Sequence, residues 1–204
     1  MKEILRNIRD WARRLSRPII ASVATCLAMT AVADPPTYIN KTASGTTSAE
    51  VIFGHDPLLQ PRIVLASATS DKSGSVLSFR SGTTAYTVTA ATVNATNIAL
   101  NTTNGVGATT NVILYHAGTW TSATTHSVLS GNTTNIWITA TNSIVPAVGD
   151  EVFLLGPKTD IKVGAATLNI GSEAVFVGNR GRPIRCILDG TSACSVDSMT
   201  ARYE

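Results

Sequence analysis

Charge is scarce in this chain of 204 residues. Asp, Glu, Lys and Arg together make up 14%, against about 25% in an average soluble domain. The scarcity is uneven: between Arg80 and Asp150, 69 consecutive positions hold none of the four. Histidines are only three (His55, His116, His126) and cysteines three (Cys26, Cys186, Cys194). None of them forms an H-x-H, H-E-x-x-H or paired Cys/His pattern, so no metal site is expected. Ser, His and Asp are present, but no G-x-S-x-G elbow holds a serine above a strand, so no catalytic triad is expected. The glycine-containing run Gly178-Asn179-Arg180-Gly181-Arg182 lacks the strand–loop–helix setting of a phosphate loop, so no cofactor is expected either. Aromatic residues are 5%, and no apolar run reaches the roughly 20 residues of a membrane span. The composition points away from an enzyme.

Thr, Ser, Asn and Ala take the place of charge, while apolar residues at 44% are enough for a packed core. The net charge of +3 belongs to one end. Residues 1–33 carry six basic groups and two acidic ones. The remaining 171 residues hold ten Lys/Arg and eleven Asp/Glu. A body so close to neutral offers no electrostatic footprint for nucleic acid.

Residues 1–33 read as a helical leader. The basic part ends at Pro18, a moderately apolar stretch runs from Ile19 to Ala33, and Ala31-Val32-Ala33 precedes Asp34-Pro35-Pro36. Small residues at those places suit signal peptidase, so cleaved export is the expectation. The rival is an uncleaved amphipathic helix with Ile4, Leu5, Ile8, Trp11, Ala12 and Leu15 on one face, which would contact a membrane or an assembly. Any membrane contact would come only through these residues.

Beyond Pro61 the pattern has period two, is rich in Val, Ile and Thr, and is punctuated by Gly, Asn, Asp and Ser. Candidate strands are 62–67, 75–80, 86–91, 97–100, 111–116, 127–130, 135–140, 151–155, 167–170, 174–177, 184–188 and 193–196. Asp71-Lys72-Ser73-Gly74 reads as a hairpin turn between the first two. Residues 34–60, with Asp34-Pro35-Pro36, Asp56-Pro57 and a Thr/Ser/Gly tract, read as an extended arm. A repeat marks the middle. Residues 94–100 correspond to 132–138, and 111–114 to 151–154. The expected class is all-β: a small antiparallel sandwich or barrel, with 61–90 and 150–204 as core and 91–149 as an inserted, charge-free, pseudo-repeated unit.

Few side chains stand out for function. Cys186 and Cys194 flank Asp189-Gly190, a hairpin signal. A three-residue loop would set the thiols opposite one another for a disulfide, and a two-residue loop would leave them free. Arg180, Arg182 and Arg185 form the one basic cluster of the body, suited to anions or to salt bridges across an interface. Trp120, in a Gly/Thr/Ser loop flanked by His116 and His126, and Trp137 are candidate interface or ligand contacts. In Gly54-His55-Asp56-Pro57 the aspartate is expected to cap a turn.

The stretch from Ile63 to Arg80, with Ala68-Thr69-Ser70-Asp71-Lys72, resembles accessory virion proteins of tailed bacteriophages. So do Val148-Gly149-Asp150-Glu151-Val152-Phe153 and Ile187-Leu188-Asp189-Gly190-Thr191-Ser192-Ala193-Cys194. The resemblance implies a small β-domain that decorates a capsid or belongs to a tail or fibre, without catalysis. The charge-free stretch independently favours burial among neighbours, because nothing ionic there must be desolvated. The expected function is a self-assembling structural protein of a virion or an exported surface or filament. Its partners would be its own copies and a capsid, tail or surface-layer lattice. The alternative is a secreted glycan-binding module with Trp120 and Trp137 as stacking platforms.

Overall fold

The computed structural model describes residues 36–90, 97–128, 135–138 and 145–204. The leader at 1–33 lies outside the described residues. Thirteen strands follow in chain order: β1 (Thr37–Gly45), β2 (Ser48–Phe53), β3 (Pro61–Ser70), β4 (Val76–Thr87), β5 (Asn97–Ala99), β6 (Asn111–His116), β7 (Thr119–Val128), β8 (Asn135–Ile138), β9 (Glu151–Leu155), β10 (Thr159–Lys162), β11 (Thr167–Val177), β12 (Ile184–Asp189) and β13 (Cys194–Tyr203). All their pairings are antiparallel, and no helix occurs among the described residues.

The first half of the fold is a sandwich. One sheet has the order β1-β13-β3-β11, and β2, β12, the first half of β4 and β10 form its opposite layer. Alternation explains why these segments are strands. Ile184, Cys186 and Leu188 of β12 point inward, as do Ala49, Val51 and Phe53 of β2 and Leu77 and Phe79 of β4. They meet Ile63, Ala66 and Ala68 of β3 and Val196, Met199, Ala201 and Tyr203 of β13. Each large side chain removed from water in this way contributes roughly 1.5–3 kcal/mol. Asp197 is an extra residue in β13, since Val196 pairs with Ala68 and Ser198 with Ser67. That bulge restores the alternation between Val196 and Met199.

The described part of the segment 34–60, residues 36–60, is not an arm. Its β1 and β2 complete the two layers, and β2 is buried through Ala49, Val51 and Phe53. No apolar alternation marks β1, an edge strand whose exposed residues are Thr37, Tyr38, Ile39, Asn40, Thr42 and Ser44. The turn at Asp71–Gly74 is likewise no hairpin. It carries the chain from β3 in one sheet to β4 in the other.

At Gly82 the long β4 passes from the sandwich into a nearly closed barrel of order β4-β9-β6-β7-β8-β5. The bridge Val88–Leu100 and the bonds Thr89 N to Ala99 O (3.0 Å) and Asn101 N to Thr87 O (2.9 Å) join β5 back to β4. Tyr86, Val88, Ile98, Leu100, Val112, Leu114, Ile136, Ile138 and Val152 fill its interior. The two sequence copies pair with each other. Ile98 faces Ile136 with Asn97 on Trp137 and Ala99 on Asn135; Ile113 faces Phe153 with Val112 on Leu154 and Leu114 on Val152. Swapping the copies leaves both registers unchanged, so a pseudo-twofold axis passes through the two Ile98/Ile136 and Ile113/Phe153 pairs. β4 and β7 occupy equivalent places, each bordering one strand of either pair. The barrel therefore extends beyond 91–149, taking in the second half of β4 and all of β9.

Candidate functional site

The Asp189-Gly190 turn decides the fate of the two cysteines. It too crosses between sheets, because β12 and β13 belong to opposite layers. Cys186 lies opposite Val51 and Phe79, and Cys194 opposite Ser70 and Gly45. The expected hairpin does not form, and both thiols are free and buried. Burial pushes the Cys186 thiol far up from its ordinary range, since an apolar core penalises a thiolate. The two crossing turns clasp each other instead. Asp71 accepts from Thr191 N (2.9 Å), Ser192 N (2.8 Å) and Ala193 N (3.1 Å). Asp189 accepts from Val76 N (2.9 Å) and pairs with Lys72.

The three arginines are each committed to a different partner. Arg180 Nε donates to Leu58 O (2.7 Å) and Arg182 Nε to Thr83 O (2.6 Å). The Arg182 guanidinium also lies 5.7 Å above the Phe153 ring. Arg185 pairs with Glu50, which accepts in addition from Ser122 Oγ at 2.6 Å. Their shared sequence neighbourhood produces structural ties rather than one anion cradle.

Trp120 sits on strand β7, not in a loop. The loop is the two-residue turn Ala117-Gly118, with φ of 47° and 86°, and His116 pairs with Thr119 across it. Positive φ at both places gives the twist a tight hairpin needs. His116 Nδ1 then reaches Asp150 Oδ2 at 2.6 Å; nothing is described of the His126 side chain. Trp137 lies on β8 opposite Ser127, whereas Trp120 pairs with Tyr115. Seven residues of β7 separate those two places, about 23 Å of strand. The two indoles form no common platform.

What Trp120 does is close a cleft. It packs on Tyr115, His55 and Phe153 with ring centroids 4.5, 5.5 and 5.9 Å away. Gly54 is needed beside it, because a Cβ there would stand 2.8 Å from the indole nitrogen. The cleft, about 390 Å³, opens where β1, the 53–59 segment and the end of β13 meet the β6–β7 turn. Ile39, Phe53, Leu59 and Trp120 supply its apolar walls. Lys41, His55, Asp56 and Tyr203 supply its polar groups.

Each polar group is held by the fold. Lys41 Nζ donates to Ile52 O (2.6 Å) and lies 5.7 Å over the Phe53 ring, and burial lowers its pKa. Asp56 Oδ1 caps its turn by accepting from Leu58 N at 2.8 Å. Tyr203 donates to Gly54 O (2.8 Å); burial pushes its phenol up to about 12, with the nearby Asp56 carboxylate adding to the shift. His55 Nε2 stands 3.5 Å from Glu151 Oε2, and its Nδ1 is buried without a hydrogen-bond partner. Lys41, Thr37 and Ile39 escaped the sequence reading because they belong to the supposed arm. Tyr203 escaped because its inward position depends on the bulge at Asp197.

Among the described residues no group of three or more His, Cys, Asp or Glu is placed to hold a metal ion. No family model matches the chain, and no curated protein matches it. Among solved structures it is similar to VP17, a capsid protein of bacteriophage P23-77, at a TM-score of 0.20 and 8% identity, covering 83% of this chain and 97% of that one. A TM-score this low establishes neither a shared fold nor a shared role.

Proposed function

We propose that the protein is a non-catalytic structural subunit, which assembles with copies of itself and decorates a larger lattice such as a virion or an exported surface array. The supporting observation is the barrel's surface. Among the residues of 81–124, 135–138 and 145–149 whose exposure is described, every exposed one is Thr, Asn, Ala, Gly or Val. Val145 and Val148 stand 49% and 63% exposed at one loop tip. A neighbour covering this surface desolvates no charge, and the hydroxyl and amide groups supply hydrogen bonds at a contact's rim. A free monomer usually spaces ionic groups over such a surface to stay apart from its copies.

Light scattering of the full chain over a concentration series tests this. Concentration-dependent assembly is the expected result, and a monomer at every concentration refutes it. The two settings differ in what residues 1–33 do. N-terminal sequencing of the natural protein that begins at Asp34 places it among exported surface subunits. An intact Met1 supports a virion component that docks through its leader.

A further inference from the structure

We propose that the cleft beside Trp120 is a carbohydrate site that takes one neutral pyranose residue. The proposal does not depend on assembly. The size comes first: about 390 Å³ lies within the roughly 300–1,000 Å³ of small-molecule sites. The second argument is unused bonding capacity. An ammonium has three donors, and Lys41 spends one on Ile52 O. Asp56 spends one oxygen on Leu58 N. His55 Nδ1 has no partner but is buried out of a ligand's reach, which leaves Lys41 and Asp56 as the groups with bonding capacity to spare.

Charge selects the class of ligand. A carboxylate or phosphate drawn to Lys41 would meet Asp56, and an amine drawn to Asp56 would meet Lys41. Hydroxyl groups both donate and accept, so a polyol satisfies both without a net charge of its own. The apolar walls at Ile39, Leu59 and Trp120 suit the C–H faces of a sugar ring, which lie opposite its hydroxyl edges. An amino-acid zwitterion is the competing chemistry, with its two charges on the two side chains.

Saturation-transfer NMR on the full chain separates these cases. The probes are D-glucose, D-galactose, D-mannose and the two N-acetylhexosamines, with leucine and sodium acetate beside them. At least one sugar is expected to bind with a millimolar dissociation constant. Lys41→Met keeps an unbranched side chain of similar length and removes the ammonium; Asp56→Asn retains the turn cap and removes the charge. Each is expected to weaken sugar binding by about tenfold while circular dichroism stays that of the parent. Trp120 is left intact because its loss would disturb Tyr115 and Phe153. If Lys41→Met fails to fold, Asp56→Asn decides alone. No transfer to any sugar at about 50 mM overturns the proposal. So does sugar binding that Asp56→Asn leaves unchanged, or leucine binding more tightly than every sugar.

Discussion

Asp189 shows what a single carboxylate contributes at a crossing point. Lys72, the amide of Val76 and the hydroxyl of Ser75 hold its pKa down at about 2. An unfolded aspartate titrates near pH 3.9. The folded state therefore binds its proton later than the unfolded chain does. The stabilisation is present above about pH 4 and fades as pH falls towards 2. Asp71 acts in the same direction through Ser192 and Thr191. Asp189→Asn retains an acceptor for Val76 and loses the pair with Lys72. Because both side chains are about two-fifths exposed, screening limits the loss to about 1 kcal/mol at neutral pH. Urea denaturation at pH 7 and across pH 4 to 2 measures both effects. The variant is expected to be less stable at pH 7 and to show a shallower acid slope. The role of these residues was only half legible in the sequence. Asp71-Lys72-Ser73-Gly74 and Asp189-Gly190 announce turns, because their local chemistry is explicit. Whether the next strand pairs back or crosses to a second sheet depends on which face its apolar residues must cover, and that is a property of the partner layer.

At the scale of elements, the repeat reaches further than its sequence signal. Shifting residues 105–110 by 40 positions places Val106 on Pro146, both buried, and Thr109 on Gly149, both with positive φ (64° and 94°). The capping bonds correspond as well: Gly107 N to Thr110 Oγ1 at 3.1 Å, and Ala147 N to Asp150 Oδ2 at 2.6 Å. Almost no residue identity survives across these loops, so comparing letters reveals only the strands that follow. The backbone conformation has been retained where the side chains have not. A β-branched residue at positive φ is strained, and the two copies allow that strain to be measured. A Cβ at Gly149 would meet nothing within 4 Å, so Gly149→Thr tests backbone strain without steric clash. It is expected to cost about 1–2 kcal/mol. Thr109→Asn, which tolerates the left-handed region, is expected to raise stability. Thermal unfolding of both variants checks the pair of signs; equal effects of the same sign would contradict the equivalence.

For the whole molecule, charge is divided unevenly between the two halves of the fold. The sandwich carries the ion pairs Arg62–Glu204, Lys72–Asp189, Lys158–Asp160 and Arg185–Glu50. The barrel between Arg80 and Asp150 carries no Asp, Glu, Lys or Arg at all. The all-β class was legible because alternation and turn residues are local signals. The closure of the barrel was not, since it depends on Val88 meeting Leu100 and on β5 meeting β8 across 38 residues. Assembly through the barrel makes a prediction at Val148, which is 63% exposed and follows Ala147 at the loop tip. Lysine there projects into solvent and leaves the barrel interior untouched, so circular dichroism and unfolding temperature should match the parent. In an assembled contact the same ammonium would have to be desolvated beside uncharged neighbours, a loss of several kcal/mol if it finds no partner. The assembled fraction seen by light scattering is therefore expected to fall at least about tenfold, a change that 1.4 kcal/mol suffices to produce. Val148→Thr, uncharged and close in shape, should leave assembly nearly intact. If lysine and threonine behave alike, this loop does not lie in the contact. If Val148→Lys alone dissociates the particle, the absence of charge is what permits copies to meet there.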